Sequence, residues 1–249
     1  MSIRYFDRYE LKYIIDRLQY QRLVEAVGDF MTPDDEGDAH GRYGITSLYY
    51  DTVDYKAYWD KIEGHRFRRK VRVRVYGNQT VTSDTKCFAE IKQRLNKTLQ
   101  KKRVLLPYTE ALALCSQGES VETNSEWERK IVDEIRYLHD VLQLQPACIV
   151  SYDRLAFNGD EYNPGLRVTF DTNLKGRAHD LDLRSPGQAE NKFFILPTWS
   201  ILEVKVNHRV PAWLAKLINR HGCTLRRISK YCTALEQSKA LLQTQYITQ

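Results

Sequence analysis

The 249-residue chain has only five cysteines, and nothing in their placing would staple a fold or hold a metal. Cys87, Cys115, Cys148, Cys223 and Cys232 are odd in number and scattered, without Cys-x-x-Cys pairs or zinc-type His/Cys spacing. They read as the reduced thiols of an intracellular protein. No run approaches the ~20 apolar residues that a bilayer-spanning helix needs, and the opening "MSIRYFDRYELKY" is charged from its first positions, unlike a secretory leader. The expectation is a soluble, cytoplasmic protein with no membrane segment of its own. Linkers rich in Pro, Gly and Ser, low-complexity tracts and repeats of solenoid period are missing too, so one domain over residues 1–249 is expected. None of the six histidines, His40, His65, His139, His179, His208 and His221, has a recognisable carboxylate partner, which leaves no obvious acid–base pair. His208 lies nearest the motif discussed below.

What is present is charge. Lys and Arg number 38 against 32 Asp and Glu, giving a net charge of +6 and a pI near 9.0, which permits an anionic partner without choosing one. The apolar fraction of 42% is ample for a core.

Periodicity divides the chain into strands and helices. A strand at 8–14 precedes a helix at about 16–27, with Asp16 as cap and Leu18, Leu23, Val24 and Val27 as its apolar stripe. "TPDDEGDAHGR" reads as an exposed loop, "GITSLYYDT" as a strand, and Tyr55, Tyr58, Trp59 and Ile62 recur at helical spacing. "RRKVRVRVYG", "CFAEIKQR" and "KKRVLLP" are strands, the last two forming a hairpin. Helices are expected at 109–115 and 125–142, the latter with Ser125 and Glu128 as a capping box. "ACIVSYDRLAFNG", "LRVTFDTNLKG" and "FILPTWSILEVKVN" supply further strands, and helices at 211–221 and 229–242 complete the chain. Hairpin-like spacing predicts a mainly antiparallel sheet in an α+β fold.

Side chains two apart on a strand share a face. Glu10 and Lys12 fall together, as do Arg68, Lys70, Arg72, Arg74 and Tyr76; Glu90, Lys92 and Arg94; Tyr152 and Arg154; Arg167, Thr169 and Asp171; and Glu203, Lys205 and Asn207. The opposite faces carry Leu11, Val71, Val73, Val75, Ile91, Val168, Phe170, Leu202 and Val204. One such strand means only a sheet with one wet face. Across six strands the polar slots are nearly all Arg, Lys, Glu or Asp, with little of the Ser, Thr and Gln that solvent faces carry. That pattern predicts an enclosed polar bore, which about eight strands can surround. Cations at such density need an anion between them, and phosphate suits both the fork of Arg and the point charge of Lys. A hard divalent cation bridging carboxylate and phosphate would explain the acidic residues.

"RYELKY", "LYYDTVDYKAY", "RRKVRVRVY", "FAEIKQR", "SYDRLAF", "LRVTFDTNL", "ILEVKVN" and "ISKYCTAL", in this order over about 8–235, resemble the catalytic domain of the vacuolar transporter chaperone complex, a polyphosphate polymerase among the triphosphate tunnel metalloenzymes. The resemblance implies an eight-stranded antiparallel β-barrel, a tunnel surrounded by helices. Within it, the γ-phosphoryl group of ATP would pass to a growing inorganic polyphosphate with Mn²⁺ or Mg²⁺ as cofactor. Lys12, Arg72, Arg74, Lys92, Arg154, Arg167, Lys205 and Lys230 would hold phosphates. Lys70, on the same face, and Lys101, whose register in "KKR" is ambiguous, would join them. Glu203 would be the principal metal ligand, with Glu90 and Glu10 as helpers. Hydrolase and cyclase branches carry Glu-x-Glu-x-Lys where this chain reads Arg8-x-Glu10-x-Lys12, which favours the polymerase branch. The sensing domain and membrane helices of the fungal complexes have no counterpart in this sequence, so a membrane partner is compatible with it but not implied.

Three readings follow. A polymerase needs no general base, since a phosphate-chain acceptor is already anionic. A tripolyphosphatase or nucleoside triphosphatase in the same bore would need a group to orient water. A non-catalytic nucleic-acid binder would use the 16 tyrosines as stacking platforms, but these sit in mixed segments such as "YYDTVDYKAYW", so no nucleic acid is expected.

Overall fold

A computed structural model describes residues 9–96, 98–185 and 191–238. Arg8, and the predicted end of the last helix beyond 238, lie outside the described residues. In chain order the elements are β1 (Tyr9–Asp16), α1 (Arg17–Gly28), β2 (Thr32–Pro33), β3 (Arg42–Asp51), α2 (Lys56–Ile62), β4 (Phe67–Tyr76), β5 (Lys86–Leu95), β6 (Thr98–Pro107), α3 (Tyr108–Gln117), α4 (Glu126–Leu142), β7 (Gln145–Asn158), β8 (Arg167–Arg177), β9 (Lys192–Phe193), β10 (Trp199–Val206), α5 (Ala212–Arg220) and α6 (Lys230–Ser238).

Local chemistry sets several of these boundaries. The Asp16 carboxylate accepts the Gln19 N–H at 2.8 Å while the Gln19 side chain accepts the Asp16 N–H at 2.9 Å, a complete capping box that turns β1 into α1. Ser125 caps α4 by accepting the Glu128 N–H, but the Glu128 carboxylate takes the Asn124 N–H and the Ser125 hydroxyl instead of closing the box. α3 stops at Gly118, whose φ of +69° is open to glycine and strained for other residues.

All ten strands join one antiparallel sheet with a path β1-β10-β8-β7-β3-β4-β5-β6, while β2 pairs with β7 and β9 with β8 off that path. This corrects the expected eight-stranded barrel in two respects. The strand count is ten because two-residue strands at Thr32 and Lys192 add to the eight long ones. The sheet is also not closed: among the described residues, β1 and β6 end the path without pairing. The outer edge of β1 is covered instead by a loop, where Arg226 N–H donates to the Lys12 carbonyl at 2.7 Å and Tyr13 bridges Leu225. The sheet nevertheless curls strongly, for Lys92 on β5 meets Glu10 on β1 at 3.0 Å.

The alternation separates the two faces as the sequence predicts. On the convex side, Val71, Val73, Ile91 and Val104 pack under α3 and α4, against Leu114, Ile131 and Ile135. Val168, Phe170, Leu202 and Val204 pack against Leu23 and Val27 of α1 and Leu214 of α5. Each of these fully buried aliphatic side chains is worth about 1.5–3 kcal/mol of transfer free energy. Leu18, assigned to the α1 stripe, is 53% exposed. A third cluster lies on the concave side: Tyr231, Cys232, Ala234 and Leu235 of α6 pack onto Tyr49, Cys148, Val150, Leu174 and Ile201. Thus α6 fills one end of the concave space with apolar side chains and leaves the charged remainder beside it.

Candidate phosphate-binding site

Cross-strand pairing places the charged residues opposite one another. Lys12 pairs with Glu203, Glu10 with Lys205, Lys205 with Arg167, Arg154 with Asp171, and Arg72 with Glu90. Directly opposed residues project to the same side, so all of these share the concave face.

Glu203, 4% exposed, is the centre of one group. Lys205 approaches it at 2.7 Å, Lys12 at 3.5 Å and Lys230 at 4.0 Å. Burial opposes its charge, but the lysines and Arg154 outweigh that and hold the carboxyl well below its usual range. Lys12 also binds Glu10 at 2.8 Å, and the Glu10 carboxyl is lowered by Lys12, Lys92 and Lys205 against the cost of burial. Conversely, Glu10 and Glu203 hold the Lys12 ammonium above its ordinary value despite burial. Lys205 differs: desolvation exceeds what Glu203 returns, and its pKa falls to about 8.

A second group centres on Asp171, which is fully buried. Arg154 grips it through two bonds, Nε at 2.7 Å and Nη2 at 2.9 Å, and Lys230 joins at 2.6 Å from the first residue of α6. Asp171 is therefore not the partner of Arg167, although the two share a face. Arg167 donates to Asp34 and to Tyr43 Oη. Asp34, in a segment expected to be exposed, is 4% exposed.

The third group is Arg72, whose Nε donates to Glu90 at 2.7 Å and whose Nη1 donates to Tyr49 Oη at 3.0 Å. Glu90 is fully buried and held at about 2, burial being outweighed by Arg72, Arg74 and Lys101. Among the described residues its Oε1 has no hydrogen-bond partner, with Lys101 standing 3.7 Å away. Burial raises the Tyr49 phenol, but Arg72 and Arg74 overcome this and bring it down to about 8. Arg74 donates to Ser47 Oγ at 3.0 Å and Tyr152 Oη at 3.4 Å. Lys70 lies against α6, 4.6 Å from the Tyr231 ring centre and 3.4 Å from Ser229 Oγ.

Pairing of Lys92 with Lys101 and of Glu90 with Arg103 resolves the ambiguous "KKR" register. Lys101 and Arg103 face the concave side, while Lys102 binds Glu134 on α4 at 2.5 Å. Burial lowers Lys101 to about 8. Arg103, Tyr49 and Ser47 are members of this face that the charge pattern alone did not single out. The six histidines contribute nothing to these three groups. Two of them do find carboxylates, contrary to expectation: His65 contacts Asp60 and Glu63, and His139 contacts Asp140.

Among the described residues no three His, Cys, Asp or Glu side chains form a ready metal cage. Glu203 and Glu10, both in contact with Lys12, supply one or two carboxylates, which is what Mg²⁺ requires when most of its remaining ligands are water and substrate phosphate. The donor set fits a cation that arrives with a phosphate ligand.

The sequence pattern of the VTC domain matches residues 7–239. The chain belongs to the VTC domain family. No curated protein matches it. Among solved structures, this VTC domain is similar to a candidate adenylate cyclase of Bacillus halodurans at 13% identity and TM-score 0.51, covering 88% of this chain and 92% of that one. The PH1819 protein of Pyrococcus horikoshii OT3 aligns over 92% of this chain and 99% of its own, at 14% identity and TM-score 0.47. The VTC domain thus shares its curled antiparallel α+β fold with the Bacillus halodurans structure. No helix among the described residues is long and apolar enough to cross a membrane.

Proposed function

We propose that this VTC domain is a metal-dependent polyphosphate polymerase, transferring the γ-phosphoryl group of ATP to the end of a growing polyphosphate chain on its concave face. The observation that carries this reading is the gathering of Lys12, Lys205 and Lys230 around Glu203, beside the Arg154–Asp171 pair. Lysines from β1, β10 and α6 converge where basic groups outnumber carboxylates, an arrangement that is costly until a polyanion sits among them. Phosphoryl transfer asks chiefly for in-line positioning and neutralisation of the transferring group. Lys12, Lys205 and Lys230 would neutralise it, Arg154 would orient it through its planar fork, and Arg72, Arg74, Lys92, Lys101, Lys70 and Arg167 would track the remaining phosphates. Glu203, helped by Glu10, would hold Mn²⁺ or Mg²⁺. When bound, that ion supplies Lewis-acid polarisation of phosphate oxygens.

Polymer synthesis is favoured over hydrolysis by the state of the carboxylates. Glu10, Glu90, Asp171 and Glu203 each contact a Lys or Arg and have their pKa values lowered, which makes each of them a weak base towards water. An anionic phosphate acceptor has no proton to lose. Incubation with ATP and Mn²⁺, resolved on a gel, tests this. Long polymer supports the proposal; orthophosphate as the sole product replaces it with the triphosphatase reading.

A further inference from the structure

Behind the charged face, on the convex side of β3 and β4, a cavity of about 240 Å³ lies between α2 and the C-terminal end of α4. Tyr50, Val71, Leu138, Leu142 and Leu144 make its walls largely apolar. Its polar groups can be accounted for one by one. The Asp51 carboxylate accepts the N–H groups of Thr52, Ala57 and Tyr58 and the Tyr231 hydroxyl. Asp60 is taken by Lys56 at 2.8 Å and by His65 Nδ1 at 3.0 Å. Arg69 is the exception. Among the described residues its guanidinium has no carboxylate partner, and it stands 5.0 Å from the centre of the Phe67 ring.

An apolar cavity of roughly 150 Å³ stays dry and accepts a benzene-sized guest. This one is larger, and an unpaired arginine lines it. A planar guanidinium binds a carboxylate through two parallel bonds, and the apolar walls would bury a hydrocarbon tail. We infer that the cavity binds a small amphipathic carboxylate, with the acid on Arg69 and a chain or ring of on the order of ten non-hydrogen atoms against Leu138, Leu142 and Leu144. The site is separate from the proposed phosphate face: Arg69 and Val71 point to the convex side, whereas Lys70 and Arg72 point to the concave one.

Titration calorimetry with octanoate tests the assignment, with octanol and acetate as probes that each lack half of the recognition. Octanoate saturates a single site at millimolar concentration or below, and octanol and acetate bind at least ~10-fold more weakly. Arg69→Gln reduces octanoate affinity to that of octanol, and Leu142→Trp, which fills the cavity, abolishes it. Neither variant changes tripolyphosphate binding. Circular dichroism checks that Leu142→Trp folds; if it does not, the Arg69→Gln and octanol comparisons still decide. The inference is overturned by an absence of saturable heat, by equal affinity for octanol, by binding that survives in folded Leu142→Trp, or by displacement of octanoate with tripolyphosphate.

Discussion

Replacing Asp171 by Asn removes the buried anion that faces both Arg154 and Lys230. In the wild type its two oxygens accept Arg154 Nε at 2.7 Å, Arg154 Nη2 at 2.9 Å and Lys230 Nζ at 2.6 Å. In the variant an amide nitrogen meets at least one of these donors, and two cations that are each 8% exposed lose their counter-charge. Breaking a buried pair in this way costs about 3–5 kcal/mol. For a chain of this length that lowers Tm by on the order of 10 °C. The concave face adds a second, sharper expectation. A polyanion placed there supplies the charge that Asp171 no longer does, so the variant should bind tripolyphosphate more tightly, and the same ligand concentration should raise its Tm by more than it raises the wild type's. Thermal unfolding of both proteins, with and without the same concentration of tripolyphosphate, measures the two quantities together. A loss below ~1 kcal/mol, or an equal ligand-induced rise in both proteins, would refute the view that phosphate balances these cations.

Other outcomes follow from the same geometry. Lys205, lowered to about 8 by burial, loses its charge as pH rises through that value, so tripolyphosphate affinity should fall between pH 7 and 9. Because the bound anion favours the charged ammonium, binding takes up protons on the alkaline side, and Lys205→Arg should flatten this limb in a binding titration. Tyr49 should ionise near pH 8, visible as an absorbance step at the tyrosinate band that Tyr49→Phe removes; absence of any step below pH 9.5 contradicts the placement of Arg72 and Arg74. Asp16→Ala breaks the capping box and should cost about 1 kcal/mol in chemical denaturation, without altering anion binding. Glu203→Gln should abolish Mn²⁺-dependent turnover, by at least about 10²-fold, while tripolyphosphate still binds in calorimetry.

The faces of the long strands were legible in the sequence because a period of two survives any change of partner. "KVRVRV" can bury its valines only by projecting its basic groups to the other side, whatever lies beside it. Closure was not legible, since it depends on whether β1 and β6 exchange backbone hydrogen bonds, and neither alternation nor composition records that. β2 and β9, at two residues each, are too short to show a period. Tyr49 and Ser47 were hidden in "ITSLYY", where aromatic and small residues occupy the same face as the arginines and mask the charge pattern. Asp34 escaped because "PDDEGD" looks like solvated turn, and only the fold brings Arg167 to it. The partners of His65 come partly from within its own segment, at Asp60 and Glu63, a signal the chain did carry.

The contact between Lys92 and Glu10 bears on how a long ligand could be admitted. A ring sealed by backbone hydrogen bonds has to be threaded from one end. Here the flanks of the sheet are held by an ion pair whose Lys92 side is partly exposed and whose Glu10 side is largely buried, which added salt weakens in part. A linear polyanion competing for Lys92 would unfasten the same clasp it passes, allowing lateral loading along its length without feeding a free terminus past α6.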